Sequence, residues 1–432
     1  MKRYSLLAFL LCLGLHAPMA QTLDECYEAA ERNYPLIKRY DLIGKTNALD
    51  VKDIAKGWLP QVTASAQVTY QSDVTSWPDQ MKQMLAGMGI DFKGLRRDQY
   101  RVALDIQQTL YDGVAMKSRQ EVVRRMGEVE EAQNAVSLHA IRQRVCEMYF
   151  GVLMLDEQLV LNRDLQRLLQ GNEDKLEAMY RRGTAAESDF LSVRAERLVA
   201  MQVQTNLENQ RETLVRLLSL FCGRETTNPF QPPLKGETNS LPHREGWGGP
   251  LRPELKAIDS QLRLADAQEK VLRSALMPRL GLFAQGYYGY PGYNLFEDMM
   301  RHRWSLNGMV GVRLSWNIGA LYTRKNDRAR LQLQRETAVN NRDVFLFNNK
   351  LEQVQEDEEI LRYRKLMADD DEIIALRQNV RKAAESKLQH GIIDTNDLVR
   401  EINAENAARV SRSMHELEML HQVYNQRITI NE

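Results

Sequence analysis

The residues best suited to chemistry in this sequence are three consecutive aspartates, Asp369, Asp370 and Asp371. Carboxylates held together attract cations, so copies of this run around a pore would favour cation passage. Aspartate is also common in turns and at helix N-termini, which gives an ordinary structural alternative. We expect the run at the far tip of a helical hairpin. Arg362 and Arg364 precede it and are candidates for latching the tip, although exposed ion pairs contribute only about 0–1 kcal/mol each.

Other reactive residue types show no catalytic or metal-binding pattern. His415 and His421 are too far apart for the i, i+4 spacing of helical metal ligands, and no nucleophile has an evident base. The glycines around Trp247 neither follow a strand nor begin a helix, so they do not form a phosphate loop. The sequence therefore predicts a non-enzyme that needs no cofactor or metal.

The composition and the N-terminal residues indicate an exported protein. The chain contains 58 Lys and Arg residues and 58 Asp and Glu residues. It therefore has no net positive charge that would indicate binding to nucleic acid. Residues 1–20 combine a basic start with a short apolar run and are predicted to be a signal peptide. The rest of the chain has no apolar stretch long enough for a transmembrane helix. Three cysteines remain after 1–20, which predicts buried thiols and no disulfide framework.

The chain repeats one pattern twice. The stretch from Trp58 begins WLPQVTASAQVTY, and the stretch from Leu276 begins LMPRLGLFAQGYY. Glycines mark corresponding later positions, Gly113 with Gly319 and Gly183 with Gly391, in the same order. The second copy is shorter between its proline and its first glycine, which places a loop in that interval. We predict a first repeat over 21–226, a Pro- and Gly-rich linker over 227–250 and a second repeat over 251–432.

Each repeat contains a helix, two strands and a long helical hairpin. Alternation of apolar and polar residues predicts strands at about 61–72 and 100–111, then at about 279–290 and 305–317. Narrow apolar stripes at spacings of three and four predict coiled-coil helices over 113–222 and 319–430. Gly183 and Gly391 are predicted to break these helices. The fold class is therefore mostly α with a small β part.

Four strands are too few to close a membrane barrel, because about eight strands make the smallest one. Open strand edges cannot face lipid, where unpaired backbone groups find no water. The strands must then close by association of several copies. Three copies would supply twelve strands around an open lumen and a matching ring of helices.

These features resemble the TolC-like outer-membrane efflux proteins. The resemblance covers nearly the whole chain after 1–20 and rests on the doubled order of its marks. The first marks are two prolines that precede strands, Pro60 and Pro278, and the segment Gln108–Gly113. The last are two glycines, Gly183 and Gly391, and each of these glycines is followed by an aspartate and a leucine. One departure is that the turn at Trp316–Gly319 lacks an acidic residue corresponding to Asp112.

The resemblance implies a homotrimer with a twelve-stranded barrel in the outer membrane and a coiled-coil tunnel in the periplasm. It implies a periplasmic adaptor (membrane fusion) protein and an inner-membrane pump as partners, and a passive exit route for small toxic compounds or proteins. It also implies that acidic residues near the tunnel end constrict the pore. Aromatic residues at strand ends are then candidates for interfacial girdles, with core packing as the alternative: Tyr70, Tyr111, Tyr288 and Trp316.

A second class of function is a periplasmic coiled-coil adaptor or structural protein without a pore. Such an adaptor would contain one hairpin flanked by lipoyl-like strands, whereas this sequence has two hairpins, each preceded by a pair of strands. The connections at 72–97 and 291–303 join the strands of each pair. In the channel interpretation they face the cell exterior.

Overall fold

The computed structural model describes residues 22–90, 93–223 and 252–431. The predicted signal peptide at 1–20 and the predicted linker at 227–250 lie outside these ranges. The described chain forms two compact units. We call residues 22–41, 132–223, 252–257 and 341–431 the helical unit, and residues 42–90, 93–131 and 258–340 the sheet unit.

Long helices dominate the described chain. The first repeat contains α1 (Leu23–Asn33), α2 (Leu36–Ala55), α3 (Asp79–Gly87), α4 (Ala115–Arg181) and α5 (Glu187–Cys222). The second contains α6 (Pro253–Ala275), α7 (Leu295–Arg301), α8 (Ala320–Gln389) and α9 (Thr395–Ile430). None of the helices in the described ranges is both long enough and apolar enough to span a membrane.

The core of the helical unit lies between α1, α4, α5, α8 and α9. Tyr149 and Phe150 of α4 are fully buried with Leu218 of α5, and Leu420 of α9 joins the same cluster. The cysteines Cys26, Cys146 and Cys222 are buried in this cluster as well. The second cluster lies nearer the ends of the hairpins and joins residues of both repeats: Leu169, Leu176, Val193, Ala200, Ala384, Leu398 and Ile402.

The sheet unit is built on four antiparallel strands in the order β1-β2-β3-β4. The strands are β1 (Gln61–Tyr70), β2 (Asp98–Tyr111), β3 (Arg279–Tyr290) and β4 (Ser305–Ser315). The observed strands begin within two residues of their predicted starts, and β1 and β4 each end two residues earlier than predicted. The strand pairs of the two repeats join through β2 and β3, so the repeats build one continuous sheet.

The connections between paired strands contain short helices that the sequence analysis missed. They run over 71–97 and 291–304, so the length difference between the repeats falls mainly here. Leu95 of the first connection packs with Tyr290 and Met299, and Val74 and Trp77 flank this small apolar cluster. Its polar contacts include Lys93 N–H to the Met299 carbonyl, at 3.1 Å.

Asp112 explains one difference between the repeats. Its carboxylate accepts hydrogen bonds from the backbone N–H groups of Val114 and Met116, at 2.9 and 2.6 Å. These bonds satisfy donors at the start of α4 that have no partner within the helix. At the corresponding turn of the second repeat, the Ala320 N–H donates to the backbone carbonyl of Asn317 instead. The acidic residue in the first repeat is therefore a helix cap.

Candidate functional site

One face of the sheet exposes a continuous set of aliphatic and aromatic side chains. In an antiparallel sheet, paired residues lie on the same face, so the register defines this set. Leu306 is 82% exposed and Val310 is 80% exposed, although both belong to a strand. The other exposed apolar members are Val62, Val68, Tyr70, Val102, Leu104, Leu282, Tyr288, Val312 and Leu314. A surface of this kind is unfavourable in water, because it leaves so much apolar area uncovered.

The opposite face is polar and contains its own network. Gln285 donates a side-chain hydrogen bond to Asp105 on the neighbouring strand. The guanidinium of Arg101 lies 4.2 Å from the ring centroid of Tyr287. Arg313 lies over the ring of Phe283 in the same way, at 4.8 Å. The two rings that interrupt the alternation of β3 therefore serve as cation–π partners of arginines on this face.

The aromatic girdle candidates lie near the two ends of the strands. Tyr70 and Tyr288 are near one end, and Tyr111 and Trp316 are near the other. All four are exposed, and the Trp316 indole N–H donates to the Leu276 carbonyl at 3.0 Å. Tyr288 also packs against Trp304, with ring centroids 5.3 Å apart. This placement suits a girdle, and the girdle role itself stays a prediction.

A bulge in β2 determines which way Tyr111 points. Thr109 pairs with Gly281, but Tyr111 pairs with Leu280, so the register shifts between these residues. A bulge of one residue reverses the alternation that follows it. Tyr111 therefore shares the apolar face with Leu280 and Leu314. The sequence alternation alone would have placed it on the polar face.

The acidic run is not at a hairpin tip, and this part of the sequence analysis is wrong. Residues 369–371 lie inside α8, which continues to Gln389. No glycine or proline interrupts α8, and two of the aspartates find partners on α9. Asp370 is 6% exposed and its Oδ2 lies 2.8 Å from His415 Nδ1. Asp371 Oδ1 accepts from Arg412 Nε at 2.9 Å, although its side chain is 78% exposed.

The three aspartates consequently point in different directions. Asp370 faces α9, Asp371 lies at the edge of that contact, and Asp369 is exposed. The latch candidate Arg362 pairs outside this run. Arg362 binds Glu359 one turn earlier and lies 4.6 Å from the ring centroid of Tyr363. Arg364 is exposed on the same helix. A role for this segment in gating stays a prediction.

Gly183 and Gly391 lie at the turns of the two helical hairpins. Both have positive φ, +76° and +67°, which an L-residue with a Cβ adopts only at a cost. At the end of α8, Ile392 N–H donates to the Lys387 carbonyl and Gly391 N–H donates to the Leu388 carbonyl. The same pair of bonds follows α4 around Gly183, and both sites are Schellman motifs.

The helices after these turns begin with different caps. Asp394 is the N-cap of α9, and its side chain accepts from the Asp397 N–H at 2.9 Å. Thr184 and Glu187 have the residue types and spacing of a capping box but do not form one, because the N-cap of α5 is Ala186. Thr184 instead donates to the Met179 carbonyl, and Asp189 accepts from the backbone N–H that precedes α5.

Comparison with known proteins relates this fold to outer-membrane channels. No family model matches the chain. The alkaline protease secretion protein AprF of Pseudomonas aeruginosa is 24% identical over 254 residues, which cover 56% of this chain and 50% of AprF. The chain thus matches only about half the length of that relative.

Solved structures match over nearly the whole chain. The outer-membrane channel OprN has a TM-score of 0.67 at 14% identity, covering 94% of this chain and 89% of its own. The outer-membrane protein VceC of Vibrio cholerae has a TM-score of 0.66 at 11% identity, covering 94% of each chain. The CmeC outer-membrane channel of Campylobacter jejuni has a TM-score of 0.65 at 12% identity, covering 94% and 85%.

The chain has the fold of outer-membrane channels. The resemblance predicted from the doubled sequence pattern is confirmed at the level of the fold. This chain contains one four-stranded antiparallel sheet and two helical hairpins within the described residues.

The channel fold also contains a buried charge cluster that the sequence analysis missed. Arg381 of α8 binds Glu405 of α9 and Glu385 of its own helix, and Glu405 also accepts from Arg409 at 2.6 Å. The Glu405 side chain is only 4% exposed and that of Arg381 only 10%. In the sequence, nothing distinguishes these residues from the many other charged residues of the two antiparallel helices. Only the register of the hairpin brings them together.

Proposed function

We propose that this chain is the outer-membrane exit duct of a tripartite efflux or type I secretion system. The observation that carries the proposal is the sheet, which has one exposed apolar face and one polar face. An apolar face turned toward lipid and a polar face turned toward a lumen are the pattern of a transmembrane barrel. The fold shared with outer-membrane efflux channels supports the same conclusion.

Closure of the barrel requires more than one copy. Within the described residues, β1 and β4 each pair with a strand on one side only. Such edges leave backbone N–H and C=O groups unsatisfied in lipid, where each costs several kcal/mol. Pairing β4 of one copy with β1 of the next forms a ring, and a ring closes without remaining edges. Three copies give twelve strands and an open lumen.

The partners and cargo follow from this assignment. We assign the trimer to the outer membrane with its helical part in the periplasm, docked to an adaptor and an inner-membrane pump. AprF is named for alkaline protease secretion, and the structural neighbours are channels. The duct would therefore pass small toxic compounds or proteins without chemistry, a cofactor or nucleic acid.

Three finer assignments belong to the same proposal. The connections at 72–97 and 291–303 face the cell exterior. The aromatic residues at the strand ends mark the two membrane interfaces. The outward side of the acidic run, represented by Asp369, contributes negative charge to the tunnel, because Asp370 is already engaged with His415.

The alternative is a periplasmic adaptor or coiled-coil structural protein. It accounts for the long helical hairpins but provides no reason for the apolar sheet face. The channel function explains both features, so we favour it.

Matched lysine substitutions on the two faces test the proposal. Val310→Lys puts a charge on the apolar face, and Thr63→Lys puts the same charge on the polar face. A lysine facing the bilayer midplane costs about 2–4 kcal/mol, so V310K should reduce the membrane-inserted trimer while T63K should not. Heat-resistant trimer in outer-membrane fractions is the measurement. Equal amounts of heat-resistant trimer from the two variants, or no trimer from the unmodified protein, would rule out the proposed function.

A further inference from the structure

The helical unit contains a polar cavity of about 610 Å³ that the duct function does not use. Its volume lies within the range of about 300–1,000 Å³ that is typical of small-molecule sites. The wall from α8 carries three carboxylates on one stripe, Glu352, Glu356 and Glu359. The rest of the lining comes from α4, α6, α9 and the residue before α6, and it includes His139, Arg252, Glu254, Asn425 and Thr429, with Gln355 of α8 beside them.

Three buried polar atoms of this lining have no hydrogen-bond partner among the described residues. They are Nε2 of His139, Oε2 of Glu356 and Oδ1 of Asn425. His139 is only 9% exposed, so bulk water does not replace the missing partner. Buried polar groups are normally satisfied, and several unsatisfied atoms around one cavity indicate that a bound group completes them.

The charge around the cavity favours a cation. The lining contains four glutamates and one arginine. Arg252 is already engaged, since it pairs with Glu254 at 2.8 Å and donates to the carbonyls of Ile428 and Thr429. Glu359 pairs with Arg362 at the rim, which leaves Glu352 and Glu356 as the least compensated charges. An anion would meet these carboxylates without a cationic group left to hold it.

The environment of Glu356 supports the same conclusion. Burial, reinforced by the nearby Glu352 and Asp357, raises the pKa of the Glu356 carboxyl to about 7, against the opposing effects of the Thr429 hydroxyl and Arg252. Thr429 Oγ1 donates to Glu356 Oε1 at 2.7 Å. The lining from α4 includes His139, whose pKa is lowered by burial and then by Arg252. The positive charge that acts on Glu356 is thus that of Arg252, which is already engaged elsewhere, so a bound cation would compensate this carboxylate.

The spacing of the carboxylates suits a chain of amines better than a metal ion. In the described parts of the chain, no three His, Cys, Asp or Glu side chains are grouped closely enough to hold a metal. Glu352 and Glu356 are one helical turn apart, which separates their Cβ atoms by about 5–6 Å. Amines joined by three or four carbons have a comparable spacing.

We propose that this cavity binds a linear organic polycation, with one ammonium group at Glu352 and the next at Glu356. Amide and hydroxyl groups of Asn425, Gln355 and Thr429 provide polar contacts along its path. The proposal does not depend on the duct function, because binding is measured on the purified protein whether or not it conducts.

Calorimetric titration of the detergent-solubilised full chain with spermidine tests the proposal. We expect one saturable site per chain, weakened about tenfold or more by Glu356→Gln and clearly weakened by Glu352→Gln. Glu358→Gln is the matched control, because this exposed glutamate is on the same helix outside the cavity stripe. It should change the affinity by less than about twofold, as expected for one exposed charge. No saturable binding, or equal losses in E356Q and E358Q, would overturn the proposal.

Proton release gives an independent readout. Binding at pH 7 should release about half a proton per site, because a carboxyl with a pKa of about 7 is half protonated there and must ionise. From pH 8 to pH 6 the affinity should fall about tenfold in the unmodified protein and much less in E356Q. Titration in two buffers of different ionisation enthalpy measures the release. Binding with no proton exchange at pH 7 would contradict the assigned role of Glu356.

Discussion

Replacing Glu405 by leucine should destabilise the helical unit more than any single change to an exposed ion pair. Glu405 accepts from Arg381 and from Arg409, and its side chain is 4% exposed. The substitution leaves Arg381 buried with Glu385 as its remaining partner. Breaking a buried ion pair by removing one partner costs about 3–5 kcal/mol. Because Glu385 remains and Arg409 can reach solvent, we expect a loss of about 3 kcal/mol in the free energy of unfolding.

Glu212→Leu provides the matched control. Glu212 binds Arg216 one turn away on α5, and both side chains are well exposed. The same change of side chain there should cost less than about 1 kcal/mol. Denaturant unfolding of detergent-solubilised protein, followed by helical circular dichroism at pH 7, compares the two variants. A loss below about 1 kcal/mol for E405L, or equal losses in the two variants, would refute the argument that burial makes this cluster important.

Three further predictions concern the turns, the acidic run and a pH effect. Gly391→Ala should lower the free energy of unfolding by about 1 kcal/mol, because φ is positive at this residue. Gly171→Ala, inside α4 with open space around it, should raise the free energy of unfolding by about 0.5–1 kcal/mol. A gain in both variants would contradict the Schellman assignment. Asp370→Asn should lower the thermal midpoint more than Asp371→Asn, because Asp370 is buried against His415; the reverse order would contradict the contacts described. Hydrogen bonds from Arg273 and then Arg335 lower the pKa of Glu269 to about 2. The ionised Glu269 therefore stabilises the folded state fully above the pKa of glutamate in the unfolded chain, about 4.3, and this contribution disappears as the pH falls toward 2. Glu269→Gln should therefore lower the thermal midpoint at pH 7 and not at pH 2, and an equal shift at both would rule out this charge effect.

Local patterns in the sequence were sufficient to predict the repeated strands and the long helices. Alternation predicts β1, β2 and β4 closely, since each has one polar and one apolar face, whereas β3 alternates less well because Phe283 and Tyr287 lie on its polar face. The glycines at 183 and 391 are found because a left-handed residue after a helix strongly favours glycine. The doubled order of these marks then predicts the channel fold.

The pairing of charges could not be predicted in this way. Asp370 with His415 and Arg381 with Glu405 depend on the register between α8 and α9, and the apolar stripe tolerates several registers. The position of the acidic run was wrong for a related reason. Aspartate has a low helix propensity and is therefore uncommon in helix interiors, but here ion-pair partners on a neighbouring helix compensate for this low propensity. The bulge at Tyr111 likewise has no signal in the alternation.

Single-channel conductance is the most direct test of the central claim that three copies form a transmembrane duct. The full chain, purified as a trimer in detergent, would be added to one side of a planar lipid bilayer. We expect discrete and uniform conductance steps, with fewer insertions for V310K than for T63K at equal trimer concentration. If a verified trimer inserts into the bilayer and gives no conductance steps, at either polarity and in high salt, the claim that three copies form a transmembrane duct is contradicted.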